Sequence, residues 1–210
     1  MMDAEERDLF AKSLQQATAQ HTGAALDAAL DDIGWRDALA GDAQAAVSTL
    51  FELQGAAGTT SSALDDVVVA ALGVEAARDV AAVLPPLGAW APAGAARDGD
   101  TLEVRGLGTA GMRTRHRAVV VARAGGGEVA AVVDTGALDL RTARGLDPRL
   151  GLVEVAGDRL PAAARTDLAP TTWQAAVAAG QRAVAHELVG ASRAMLELAR
   201  VHALERVQFG

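Results

Sequence analysis

At 210 residues the chain has room for one good core or two small ones. Half of it is apolar, no run of eighteen residues lacks a charge, and the formal net charge is −8. That balance describes a soluble protein, not a membrane-spanning one, and argues against a nucleic-acid partner. Cysteine is absent, which excludes disulfides, thiolate metal sites and cysteine nucleophiles. With an acidic start, Met1 to Asp8, where a secretory leader would be basic, this suits a cytoplasmic protein.

The first seventy-odd residues read as helices joined by short polar loops. Asp3 to Gln20 is amphipathic, with Leu9, Phe10, Leu14 and Ala17 on one side and early acids that suit the helix dipole. Ala24 to Ile33 forms a second helix stopped by Gly34, and Trp35 to Leu39 a further brief turn. Asp42 caps a helix from Ala43 to Gln54, with Gly55 as its C-cap; Thr59 to Ser62 supply caps for another from Ala63 to Leu72.

The period then changes. Asp79 to Leu84, Thr101 to Arg105, Ala118 to Ala122, Glu128 to Asp134 and Leu152 to Val155 are brief Val-rich runs between turn residues. They read as antiparallel strands of a small barrel. Gly125-Gly126-Gly127 predicts a hairpin and Asp98-Gly99-Asp100 a turn. Arg105, Arg113, Arg115, Arg117 and Arg123 give the region a basic patch, read as a solvated face or a seat for an anionic cofactor tail. Gly157 to Pro170 reads as a linker.

Pro170 halts what precedes it, and Thr171 with Gln174 predicts a capping box. A helix of some thirty-five residues follows, a rod of roughly 50 Å. Val184, Leu188, Ala191, Met195 and Leu198 make one apolar seam along it; Ala185, Val189, Leu196 and Ala203 make a second. Gly180 and Gly190 each cost about 1 kcal/mol inside a helix, which makes sense where another helix backbone comes close.

The chain closes on Ala203, Glu205, Arg206, Phe209 and Gly210, an Ala-x-Glu-Arg-x-x-Phe-Gly phrase. This resembles the end of the first helix of the C-terminal domain in acyl-CoA dehydrogenases. The run Leu196 to Ala203 and Gly190 are similar too, as is Leu50 to Gly55 in the helical part. The resemblance implies an α+β, acyl-CoA dehydrogenase-like fold: an N-terminal helical bundle (1–75), a small antiparallel β-barrel (76–160) and the start of a C-terminal helical domain (161–210). It implies FAD, with Arg206, Gln208 and Phe209 at a cofactor site shared with a neighbouring subunit. It also implies an acyl-CoA substrate, an electron-transfer flavoprotein and a homo- or hetero-oligomer.

Two departures from the family pattern stand out. Its Glu-Pro-x-x-Gly-Ser-Asp and Trp-Ile-Thr phrases, which lie along flavin and acyl-CoA, are replaced by Leu87 to Gly94 and Gly106 to Met112. The family's catalytic glutamate usually follows the Phe-Gly, and its alternative place on the long helix is held here by Gly180. No catalytic residue is therefore assigned. The chain reads as a fragment or as a subunit without its own base, and the alternative is a non-catalytic partner or helical dimerisation module completing another chain's flavin site. The four histidines have no metal-site spacing and read as structural or surface residues. Glu187 and Glu197 read as a solvated helix face, and Trp35, Trp90 and Trp173 as core anchors.

Overall fold

The computed structural model describes residues 4–97, 101–145 and 147–206. Five helices come first: α1 (Ala4–Gln20), α2 (Ala24–Ile33), α3 (Trp35–Gly41), α4 (Ala43–Ala57) and α5 (Ala63–Ala71). Their punctuation follows the residues. Gly34 ends α2 in the left-handed region at φ 81°, and the Asp42 carboxylate accepts from the Ala45 amide at the start of α4. Gly55 departs from expectation. It lies inside α4, which runs on to a left-handed C-cap at Gly58.

Eight strands follow: β1 (Val80–Ala82), β2 (Gly94–Arg97), β3 (Thr101–Gly108), β4 (Arg117–Ala124), β5 (Gly127–Asp134), β6 (Asp139–Thr142), β7 (Val153–Pro161) and β8 (Ala164–Asp167). They form one sheet in the order β6-β7-β3-β2-β4-β5-β8, with β1 also on β4. The barrel expectation is corrected on two counts. The sheet is open, with β6 and β8 at its edges, and it is mixed, because β1 and β2 run parallel to β4. Those two short strands lie along successive stretches of β4, Val80 to Ala82 on Arg117 to Val119 and Gly94 with Ala95 on Ala122 with Arg123. The supposed linker is largely strand, since β7 continues to Pro161 and β8 adds to β5. The Gly125-Gly126 turn does join β4 to β5, both glycines at positive φ as a tight hairpin demands. The Asp98-Gly99-Asp100 turn lies outside the described residues.

Three apolar cores hold this together. Leu14, Leu26, Trp35, Leu50 and Phe51 fill the bundle. Val104, Ala118, Val120, Ala131 and Val155 pack together on one face of the sheet. Val119, Val121 and Ala130 on its other face meet Val68, Val69 and Leu72 of α5 and Trp173 and Ala176 of the last helix, α6 (Thr172–Glu205). β4 is thus buried on both faces, which is why it reads as unbroken valine and alanine without alternation.

Candidate functional site

α6 sits on the bundle by a stripe of small residues. Trp173, Ala176, Ala179, Ala183 and Gly190 are its buried positions. A Cβ on Gly190 would come within 3 Å of the Glu52 backbone, and one on Gly55 within 3 Å of the Glu187 backbone. The two helices therefore cross glycine to backbone, as expected for Gly190. Gly180 differs, meeting only the Val68 side chain at 3.5 Å and Leu64 at 3.8 Å. Thr171 is the N-cap residue, but its side chain makes no cap hydrogen bond, so the capping box is absent.

Both predicted seams face outward. Val184, Leu188 and Val189 are partly to largely exposed, and Met195, Leu196, Leu198 and Leu204 are each more than 60% exposed. From Met195 to Arg206 every residue is exposed, so the last turns of α6 stand clear of the bundle. Arg206 is the C-cap; its backbone N–H donates to the His202 carbonyl at 3.1 Å while its side chain lies in solvent. Gln208 and Phe209 lie outside the described residues.

At the root of α6 the sheet and helix enclose a groove. Trp173 Nε1 donates to the Trp90 carbonyl at 3.1 Å, pinning the helix start to the proline-rich segment after β1. Trp90 itself is 68% exposed and is no core anchor, unlike Trp35 at 1% and Trp173 at 4%. Two adjoining cavities of about 450 and 610 Å³ share Arg123, Glu128 and Gln174; Gln181 and the glycine hairpin complete the rim. The groove's lining sets the Arg123 guanidinium against the Glu128 carboxylate, beside an indole and two amides, so it offers polar contacts without a net charge.

The end of β3 and the segment after it are closed. Gly106 packs on the Leu84 carbonyl, Gly111 on the Ser62 side chain, and Met112 is fully buried. The Thr109 hydroxyl donates to Asp65 Oδ2 at 2.8 Å, so it is not offered to a ligand. Arg115, expected in a basic patch, is 7% exposed. Its Nη1 lies 3.1 Å from Asp66 Oδ1 and 3.5 Å from Asp65 Oδ2, and it also donates to the Val80 carbonyl. The other four, Arg105, Arg113, Arg117 and Arg123, are exposed as a solvated face implies, with Arg117 paired to Asp79 and Arg105 to Glu103. Trp35 Nε1 donates to Asp66 Oδ2 at 3.1 Å. Burial pushes the Asp65 carboxyl up to about 7, with Arg115 and the Thr109 hydroxyl pulling the other way; burial also raises Asp66 against Arg115 and Arg36. Sequence reasoning missed this cluster. Asp65 and Asp66 look like ordinary first-turn acids, and their partner is some fifty residues away.

A second polar group marks the crossing of α4 and α6. Glu52 takes His186 Nδ1 at 3.1 Å and Arg193 Nη1 at 2.5 Å. His186 borders a cavity of about 980 Å³ between α3, α4, α5 and α6. Glu187 is half-buried and not on a solvated face, and desolvation raises its carboxyl above the usual range. Glu197 is exposed and paired with Arg200, as its spacing suggests. Among the described residues no group of three or more His, Asp or Glu could hold a metal ion, and no helix is long and apolar enough to cross a membrane.

No protein-family model matches the sequence, and no curated protein matches it. Solved structures do. A variant of the Tcur3481-Tcur3483 steroid ACAD is 19% identical over 98% of this chain and 66% of that one, with a TM-score of 0.70. The ChsE4-ChsE5 complex from Mycobacterium tuberculosis is 16% identical over 99% and 69%, also at 0.70. A glutaryl-CoA dehydrogenase from Mycobacterium smegmatis in complex with FADH2 is 18% identical over 99% and 67%, at 0.71. At such identities the likeness is one of fold. The chain has the acyl-CoA dehydrogenase fold, and it spans about two thirds of the length of the chains it matches.

Proposed function

We propose that this chain is part of a cytoplasmic acyl-CoA dehydrogenase-like flavoprotein that forms an α,β-double bond in an acyl-CoA thioester, with electrons passed to an electron-transfer flavoprotein. FAD, when bound, would supply the acceptor for the β-hydride. The observation that carries this reading is a fold match over nearly the whole chain, joined to a helix that holds Arg206 out in solvent. The residues fit the flavin unevenly. An exposed guanidinium at a helix end suits a diphosphate approaching from a neighbouring subunit. The segment Gly106 to Met112 does not fit an isoalloxazine, because its hydroxyl is committed to Asp65 of α5 and its glycines pack closely on Leu84, Val153 and Ser62. That closure favours the second reading, in which the chain is a partner that completes the FAD site of another subunit. Two of the matched structures are complexes of two differently named proteins, which agrees with such a role.

Arg206→Lys separates cofactor binding from capping. In a complex that binds FAD, loss of the bidentate fork should weaken FAD by about 1.5–3 kcal/mol, read by fluorescence titration. Unchanged affinity in Arg206→Lys and Arg206→Ala alike would reject the assignment, along with Gln208 and Phe209 beside it. The isolated chain should be larger than a monomer by light scattering, since α6 exposes both apolar seams. It should show no useful turnover of acyl-CoA with a dye acceptor, since a positioned acid–base group is worth about 10²–10⁴-fold and Gly180 holds the base position implied by the resemblance. A monodisperse monomer, or turnover by this chain alone, would count against the reading.

A further inference from the structure

Asp65, Asp66 and Arg115 are 0%, 2% and 7% exposed, and they lie where α5 meets the segment between β3 and β4. From α5 come the two carboxylates, and from the 109–115 segment the Arg115 guanidinium and the Thr109 hydroxyl. From α3, Arg36 approaches Asp66 at 3.6 Å while pairing with Asp31 of α2; β1 gives the Val80 carbonyl to Arg115. Asp66 is well served, receiving Trp35 Nε1 and Arg115. Asp65 is not. Its Oδ1 is buried without a hydrogen-bond partner, as is the neighbouring Ser62 Oγ. A carboxylate oxygen left bare in a dry site is costly, and protonation lowers that cost by removing the buried charge.

We propose that Asp65 is a proton-operated clasp between the helical bundle and the sheet: neutral, it holds the 109–115 segment on α5, and ionised, it loosens that segment. Ionisation sends the proton to solvent and breaks no other bond. It leaves two buried carboxylates facing the Arg115 guanidinium, with Arg36 already engaged by Asp31. Asp65's raised titration, near 7, agrees with the geometry. Because the closed form binds this proton more tightly, the stabilisation is complete below the ordinary carboxylate range and is lost as pH rises through about 7. The segment released carries Thr109, whose hydroxyl is otherwise committed to Asp65. This inference does not depend on the flavoprotein reading.

Hydrogen–deuterium exchange on the full chain tests it. The Gly111, Thr114 and Arg115 amides are hydrogen-bonded within the segment. Corrected for intrinsic exchange, their protection should fall roughly 50-fold between pH 5 and pH 8, with Val120 in β4 not following. Asp65→Asn should hold the same amides level across that range. The clasp is overturned by flat protection in the parent chain, by a parallel fall at Val120, or by an unaltered fall in Asp65→Asn. Should Asp65→Asn not fold, ¹³C carboxyl titration of the parent chain decides. A midpoint near neutrality supports the clasp, and one in the ordinary carboxylate range refutes it.

Discussion

Gly190→Ala and Gly55→Ala will each destabilise the protein by about 2–3 kcal/mol, whereas Gly180→Ala on the same helix will stabilise it. All three glycines lie inside helices, where alanine is intrinsically better by about 1 kcal/mol. Local propensity therefore predicts a gain at every site. The crossing reverses the sign at two of them. A methyl group on Gly190 falls on the Glu52 backbone, and one on Gly55 falls on the Glu187 carbonyl and the Ala191 amide. Neither obstacle is a side chain that can swing aside. The helices must separate, which also pulls apart the Glu52–His186 and Glu52–Arg193 pairs beside the crossing. At Gly180 the nearest atoms are at ordinary van der Waals distance, so the new methyl fills space. Urea denaturation of the three variants checks this, with thermal midpoints moving by roughly 5–10 °C downward for the first two. Three changes of the same sign would mean that the α4–α6 crossing is not as close as described.

That contrast also shows what the sequence could and could not tell. Helix limits set by a strong local signal were legible, as at Gly34 and Asp42, because the cap needs only the residues beside it. Gly55 misled, since a glycine near the end of an apolar run looks the same whether it caps a helix or admits a neighbour. On α6 the bulky residues drew attention to two seams, yet the buried face is Ala176, Ala179, Ala183 and Gly190. Close approach selects small side chains, so hydrophobic size points away from the contact. Strands β2, β6 and β8 were missed because Gly-Ala-Ala-Arg, Asp-Leu-Arg-Thr and Ala-Arg-Thr-Asp carry no alternation; they exist by pairing with β3, β7 and β5. The fold was legible in outline through the closing phrase. Arg206 stands at the end of α6 as that phrase implied, but the buried acid–arginine cluster has no local signature at all.

Arg115→Met should cost more than any other single change considered. Methionine keeps most of the volume but removes the cation between Asp65 and Asp66, and stranding buried carboxylates costs about 3–5 kcal/mol. The penalty must depend on pH. Below the ordinary carboxylate range both acids are neutral in the folded and unfolded chain, and only lost hydrogen bonds to the Val80 and Ser62 carbonyls remain. As pH rises, the unfolded chain ionises freely while the folded variant must either hold both protons or bury two unpaired charges. The stability gap to the parent chain therefore widens as pH rises through the range where the folded parent's own acids ionise, about 7 for Asp65, because there the parent holds the charge against Arg115 and the variant cannot. Neutralising the partners offsets the loss. The triple variant Asp65→Asn, Asp66→Asn, Arg115→Met keeps acceptors for Thr109 and Trp35 without any charge, and at pH 8 it should be more stable than Arg115→Met alone. Chemical denaturation at pH 5 and pH 8 measures both effects. If Arg115→Met lies within about 1 kcal/mol of the parent chain at pH 8, the guanidinium is acting as an exposed surface charge would, and the seam between bundle and sheet is held by its apolar contacts alone.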